Sequence, residues 1–213
     1  MKMSKIEGLE TLKILNVPTV ELIDPNLLDE NSHVLREGLS IRTSPKSDMQ
    51  NNTSLPSIHN QGDLNEIREF IKQHQQGYNI IVHKTVKPEM LGSVSKYQLS
   101  PEDENLVIEL FRDFQERKEG IIKNRAILPV VGERIMVSRM QMQETDEGDF
   151  GIFSKVIQGV RKMPFQTYDA EFVLENGQIC FTDLTIQSPV DIHLMEKIKE
   201  EKNNSKVYSF ERY

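Results

Sequence analysis

The chain has 213 residues, 37% of them hydrophobic and 28% charged, with a net charge of −7 at pH 7. This is enough for one large domain or two small lobes, and the acidic balance without a basic block argues against nucleic acid as the main partner. No stretch approaches the roughly 20 apolar residues of a membrane span, and the N-terminal sequence lacks the pattern of a signal peptide. We therefore expect a cytoplasmic protein that does not enter the membrane.

The N-terminal half of the chain alternates predicted helices and strands. Leucines at helical spacing predict a helix over residues 4–16. Residues 63–76 have one apolar face and begin with Asp63 as a capping residue, which predicts another helix. Short apolar runs predict a helix over 26–30 and strands over 19–23, 38–44 and 78–86. Residues 45–62 are rich in proline, asparagine and serine, which predicts a loop.

The C-terminal half is predicted to contain both classes of element as well. Residues 100–121 begin with Ser-Pro and three nearby acids, the typical sequence of a helix N-terminus, and predict a helix. Residues 92–97 are expected to pair with strand 78–86 across the turn at Pro88. The other predicted elements are strands over 126–131 and 134–142, a helix over 151–163, a hairpin over 168–184 and a helix over 189–203. Because the elements mix without a βαβ rhythm, we predict an α+β fold with largely antiparallel sheets.

The predicted hairpin carries an acid in each strand, Glu171 and Asp183. A two-residue turn at 176–177 would place Glu171 opposite Thr182 and point Asp183 to the other face, whereas a three-residue loop at 175–177 would put both acids on one face. Two carboxylates on one face suit Mg²⁺, and their repulsion should raise at least one pKa in the metal-free protein. The alternative is an edge hairpin with solvated acids.

Two cations are candidates for binding an anion. Arg42 ends a predicted strand and is followed by two hydroxyl side chains, which suits a phosphate site. Lys5 lies in the first turn of its predicted helix, where the helix dipole favours an anion. The alternatives are a surface ion pair for Arg42 and a solvated side chain for Lys5.

Other familiar sites are missing from the sequence. None of the five histidines has the spacing of a metal motif, and neither a P-loop nor a dinucleotide-binding glycine motif occurs. The single cysteine, Cys180, excludes an internal disulfide, and its apolar neighbours predict a buried side chain rather than a nucleophile.

Five segments in order resemble the nucleotide-binding domain of the phosphoenolpyruvate synthase and pyruvate phosphate dikinase family, which has an ATP-grasp-type fold. SKIEGLETLKILNVPTVELID resembles the family's opening helix and strand, and LSIRTSP resembles its "VRSSA" strand. DLNEIREFIKQH and NIIVHKTVKPEMLGSVSKY follow at the expected places, and YDAEFVLENGQICFTDLTIQSP is similar to its final hairpin. The resemblance spans residues 4 to about 188.

The resemblance implies two lobes with a cleft between them. The N-terminal lobe would cover residues 1–85 and the C-terminal lobe residues 86–213, including the hairpin, with the boundary somewhere in 76–98. The implied cofactors are ATP and Mg²⁺, and the implied partners are a nucleotide and an unidentified acceptor.

The resemblance also implies roles for the four candidate residues. Lys5 and Arg42 would bind the nucleotide phosphates, with Arg42 the catalytic candidate. Glu171 and Asp183 would lie near the nucleotide and hold the metal, which favours the three-residue hairpin loop.

The sequence departs from the family pattern in three respects. Met3 and Ser4 stand where the family has two glycines, Thr185 stands where it has an arginine, and 213 residues leave no room for its phosphohistidine and pyruvate domains. Two functions therefore remain open: a phosphotransferase or ligase-like protein that acts on an unidentified acceptor, and a catalytically degenerate nucleotide-binding or interaction module with the same fold.

Overall fold

A computed structural model describes residues 4–29, 33–46, 55–100, 103–131, 134–144, 146–163 and 168–186. The helices are α1 (Lys5–Ile14), α2 (His33–Glu37), α3 (Leu64–His74), α4 (Phe114–Glu119) and α5 (Glu147–Val160). The strands are β1 (Leu39–Pro45), β2 (Ser57–Gln61), β3 (Tyr78–Lys84), β4 (Met90–Ser100), β5 (Asp103–Phe111), β6 (Asn124–Val131), β7 (Arg134–Ile135), β8 (Gln141–Met142), β9 (Tyr168–Glu175) and β10 (Gln178–Ile186).

The strands form two antiparallel sheets. The small sheet has the order β2-β1-β3, and the large sheet has the order β10-β9-β4-β5-β6-β7, with β8 also paired to β6. Helix α3 covers one face of the small sheet, where Leu64 and Ile67 pack with Leu39 and Ile41. Helices α1 and α5 contribute to the core on one face of the large sheet. The predicted α+β class is confirmed.

The small sheet ends at Lys84 and the large sheet begins at Met90. Helix α1 precedes the small sheet in sequence, yet it packs on β10 of the large sheet. The segment that follows α1 links the two sheets, because Thr19 bridges to Phe181 and Leu22 bridges to His83. The predicted division into residues 1–85 and 86–213 stays a prediction.

The helix predicted over residues 100–121 is wrong over most of its length. Residues 103–111 are strand β5, and only α4 is helical, with Asp113 as its N-cap. The reason is tertiary: β5 lies between β4 and β6, and its apolar run is buried on both faces of the sheet. A β-branched run buried on both faces favours a central strand over the local helix-start pattern.

Three other predictions need correction, and a fourth falls on residues that the structure does not describe. Residues 92–97 belong to β4 and pair with β5 and β9, not with β3. The predicted loop 45–62 includes β2, whose backbone bonds to β1 compensate for its polar composition. Helix α5 starts four residues earlier than predicted because Asp146 caps it. The helix predicted over 189–203 lies outside the described residues.

Close contact between α1 and β10 depends on a glycine. A Cβ on Gly8 would lie 2.3 Å from the backbone oxygen of Leu184, which a side-chain rotation cannot relieve. Gly8→Ala should therefore separate α1 from the sheet and lower the free energy of unfolding by about 1–3 kcal/mol. Urea unfolding measures this change.

The matched control is Gly151→Ala in the middle of α5, where an added Cβ meets nothing within 4 Å. Because alanine is a better helix former, this variant should be up to about 1 kcal/mol more stable. Equal effects of the two alanines would contradict the proposed tight packing of α1 on β10.

Candidate functional site

One row of side chains crosses the face of the large sheet opposite α1 and α5. Directly paired residues of antiparallel strands point to the same face. Successive pairs place on one face the residues that we call the site row: Asp183, Glu171, Ser93, Glu109 and Arg125. Apolar clusters lie on both sides of it, formed by Leu91, Phe111 and Val173 and by Tyr97, Val107 and Ile127. The site row is thus a charged strip between apolar surfaces.

The two predicted metal ligands are paired in the hairpin, but by a two-residue turn and a bulge rather than by a three-residue loop. Glu175 pairs with Gln178 across a two-residue turn in which both residues have positive φ, 50° at Asn176 and 70° at Gly177. The three-residue loop favoured by the resemblance is therefore wrong. A register shift between Phe181 and Asp183 inserts an extra residue in β10, so Asp183 pairs directly with Glu171.

Asp183 is buried, and only one of its two carboxylate oxygens has a partner among the described residues. Its side chain is 9% exposed, and its Oδ2 lies 2.8 Å from Lys5 Nζ. Its Oδ1 is buried without a hydrogen-bond partner among the described residues. A buried carboxylate oxygen without a donor fits a cation ligand, so the donor set fits Mg²⁺.

Lys5 reaches Asp183 because the start of α1 is held against both sheets. The backbone N–H of Lys5 donates to Ser44 Oγ of β1 at 3.2 Å, while Ser4 caps the helix in a capping box with Glu7. The structure therefore brings Lys5, Asp183 and Glu171 together, while their role as a common binding site stays a prediction.

Glu171 is ionised more easily than an ordinary glutamate. Burial raises its pKa, but the adjacent Arg117 outweighs this effect, and Lys5 and Arg42 add to it, so that the net shift is downward. The rise in pKa expected from repulsion by Asp183 therefore does not occur at Glu171. Arg117 makes this difference, since its Nη2 pairs with Glu171 Oε1.

Arg42 approaches the site from the small sheet. It lies on the strand face opposite Leu39 and Ile41, half-buried, and its charge contributes to the lowered pKa of Glu171. Among the described residues it has no carboxylate partner within ion-pair distance. An arginine in such a position is available to an anion that enters between the sheets.

A cavity lies where the two sheets join. Its volume is about 580 Å³, and its walls include residues 84–87, Glu175 and Cys180. The backbone N–H of Lys87 donates to Glu175 Oε1 at 2.8 Å, which ties the connection between the sheets to the hairpin. Burial raises the pKa of Cys180 to about 11, in keeping with the predicted inert thiol. Its side chain is only partly buried, and it packs against both the main core and the cluster that contains Val173.

Three charged residues of the site were missed by the sequence analysis. Glu109 and Arg117 both lay in the helix predicted over residues 100–121, and Arg125 lay just before the strand predicted over 126–131, so no predicted element placed them on this face. No group of three or more His, Cys, Asp or Glu side chains in the described part of the chain is arranged to hold one metal. The assignment of a metal to Glu171 and Asp183 stays a prediction.

No protein-family model and no curated protein matches the sequence. Solved structures do match: N5-carboxyaminoimidazole synthetase from Staphylococcus aureus, complexed with ADP, has a TM-score of 0.50 at 12% identity, over 90% of this chain and 46% of that one. ACD1 from Ca. Korarchaeum cryptofilum, in complex with coenzyme A, has a TM-score of 0.56 at 10% identity, over 87% and 92% of the two chains. This chain thus spans less than half the length of the Staphylococcus enzyme.

These similarities show the fold, which is ATP-grasp, as the resemblance predicted. The narrower relation to phosphoenolpyruvate synthase stays a prediction, as do the roles of Lys5, Arg42, Glu171 and Asp183. Among the described residues, none of the helices combines the length and the apolar character needed to span a bilayer.

Proposed function

We propose that this protein binds Mg-ATP between its two sheets and uses it in a phosphotransferase or ligase-type reaction on an acceptor. The observation that carries the proposal is the paired carboxylates of Asp183 and Glu171, with Lys5 on one Asp183 oxygen and the other oxygen open. Two carboxylates near Arg42, which has no carboxylate partner among the described residues, suit a metal–phosphate complex.

Each candidate residue would have a separate task. Glu171 and Asp183 would hold Mg²⁺, which would neutralise phosphate charge. Arg42 would bind phosphate oxygens from the small sheet, and Lys5 would do so from α1 while it orients Asp183. Fixed cations of this kind stabilise charge that develops on a transferring phosphoryl group.

The cavity at the junction of the sheets would receive the nucleoside part of ATP. Its volume of about 580 Å³ is of the size of small-molecule sites. It is bordered by Glu175 and Cys180, on the same strands as Glu171 and Asp183, so a nucleotide lying along the hairpin would reach the carboxylates with its phosphates.

One observation favours a second candidate, a nucleotide-binding or interaction module without catalysis. Both carboxylates already have a protein cation, Lys5 on Asp183 and Arg117 on Glu171, and such pairs can replace a metal structurally. Thr185 stands where the resemblance expects an arginine, so the face of the sheet that carries the site row has one cation fewer. ADP release from Mg-ATP by the purified protein distinguishes the two candidates.

The test of nucleotide binding is Arg42→Ala. A charge-assisted contact is worth roughly 1.5–3 kcal/mol, so this variant should bind Mg-ATP on the order of 10- to 150-fold more weakly in isothermal titration. Arg42→Lys should recover part of the loss, since an ammonium cannot reproduce the planar guanidinium. The melting temperature should change little, because Arg42 has no ion-pair partner among the described residues.

Arg68→Ala is the matched control. Arg68 belongs to α3 on the other side of the small sheet, where it donates to the Leu28 carbonyl at 3.4 Å, and its removal should leave ATP affinity unchanged. Wild-type ATP affinity combined with a lower melting temperature in Arg42→Ala would show a structural role for Arg42 and argue against the proposed site.

A further inference from the structure

Helix α4 brings an arginine over the site row. The helix is a six-residue connection between β5 and β6, begun by the Asp113 cap and ended by Gly120 at φ 70°. Arg117 in its last turn pairs with Glu171, and the side chains of the two residues are 29% and 31% exposed. Both side chains of the pair are therefore partly exposed to solvent.

The partner of Arg117 is one of the two carboxylates proposed to hold Mg²⁺. A divalent cation on Glu171 and Asp183 would compete with the guanidinium for the same oxygens and repel it. Arg117 would then lose its partner while remaining beside the metal site. A phosphate group carried by the metal would then be an anion to which the guanidinium could transfer.

We propose that Arg117 is a second phosphate-binding arginine, which pairs with Glu171 in the nucleotide-free protein and transfers to the nucleotide phosphates when Mg-ATP binds. This inference rests on the proposed function. It gives the site three cations from three separate elements: Lys5 from α1, Arg42 from β1 and Arg117 from α4. In the free protein the same arginine forms an ion pair with Glu171.

The competing interpretation is that Arg117 is only an internal counter-ion that occupies the position of the metal. Both interpretations predict that loss of Arg117 increases the affinity for Mg²⁺ in the absence of ATP, because Glu171 then has no competing cation. The two interpretations predict opposite effects of Arg117 on the affinity for Mg-ATP. A counter-ion alone would weaken binding of the complex, whereas a phosphate-binding arginine would strengthen it.

The experiment compares Arg117→Ala with Arg112→Ala by isothermal titration, first with Mg²⁺ alone and then with ATP at saturating Mg²⁺. Arg112 is the matched control because it lies just before the same helix and pairs with Glu116 there, with its side chain 70% exposed. Thermal melting of both variants verifies that they are folded.

We expect Arg117→Ala to bind Mg²⁺ alone several-fold more tightly and Mg-ATP roughly 10-fold more weakly, as for the loss of a charge-assisted contact. Arg117→Lys should lie between the wild type and the alanine variant for Mg-ATP, and Arg112→Ala should match the wild type in both titrations. Both affinities changing in these opposite directions would support the transfer of Arg117.

Equal or tighter Mg-ATP binding by Arg117→Ala, with normal binding by the wild type, would overturn this inference and leave the proposed function standing. Absence of Mg-ATP binding by the wild type itself would overturn the proposed function and this inference with it.

Discussion

Arg125→Ala is expected to lower the free energy of unfolding by about 3–5 kcal/mol, because it leaves a largely buried carboxylate without its cation. Arg125 is 2% exposed, and its Nε and Nη2 donate to Glu109 Oε1 at 2.9 and 2.6 Å. The Glu109 side chain is 15% exposed, and its other oxygen, Oε2, accepts a long hydrogen bond, 3.4 Å, from Ser93 Oγ. Urea unfolding at pH 7 measures the loss.

A double variant separates the cost of an unpaired charge from the cost of lost packing. Arg125→Met combined with Glu109→Leu removes both charges and keeps apolar volume, and should stay within about 1 kcal/mol of the wild type. Arg112→Ala, which breaks an exposed pair, should change stability by less than about 1 kcal/mol. Wild-type stability of Arg125→Ala would show that the pair contributes nothing.

The same pair decides which acids of the site row are available to a ligand. Glu109 is held by a buried arginine, whereas Asp183 has an oxygen without a hydrogen-bond partner among the described residues and the partner of Glu171 is partly exposed. We therefore propose Glu171 and Asp183, and not Glu109, as the metal ligands. We regard Glu109 and Arg125 as the structural part of the site row.

The sequence predicts those elements well whose local chemistry and tertiary environment agree. Helices α1 and α3 have a capping residue and one apolar face that packs on a sheet, so their periodicity and caps suffice. Strand β5 is the opposite case. Its helix-start pattern is local, while burial on both faces comes from β4 and β6, which no local pattern reveals.

The candidate site shows a similar division. Acids in two adjacent predicted strands pointed to Glu171 and Asp183 as a pair. The choice of face depended on a bulge between Phe181 and Asp183, and a single inserted residue reverses the orientation of every side chain beyond it. The role of Arg117 could not be predicted from the sequence, because Arg117 contacts Glu171, which lies 54 residues later in the chain and is brought near it only by the sheet.

His83 is a buried histidine on β3. It is 2% exposed, its Nδ1–H donates to the Lys84 carbonyl at 2.7 Å, and its Nε2 has no partner among the described residues. Burial lowers its pKa from 6.5 to about 4; the Lys84 contact opposes this effect, and the charges of Arg42 and His59 add to it. The folded protein therefore keeps His83 neutral where the unfolded chain protonates it.

The sign of the pH dependence follows from this difference. Between pH 6.5 and 4 the unfolded state binds more protons, so the contribution of His83 to stability is complete above pH 6.5 and declines as the pH falls toward 4. The loss between pH 7 and pH 4 should be about 3 kcal/mol. Urea unfolding at intervals of half a pH unit measures the slope.

His83→Leu should flatten that slope, while His33→Gln, which changes an exposed histidine, should leave it as in the wild type. Glu171 does not mimic the effect of His83, because its lowered pKa makes its contribution decline only at the acidic end of the range, below about pH 5. The difference between wild type and His83→Leu near pH 5.5 therefore isolates the histidine. Parallel slopes for these two proteins would mean that His83 can be protonated in the folded state, and that the space around its Nε2 admits water or an anion.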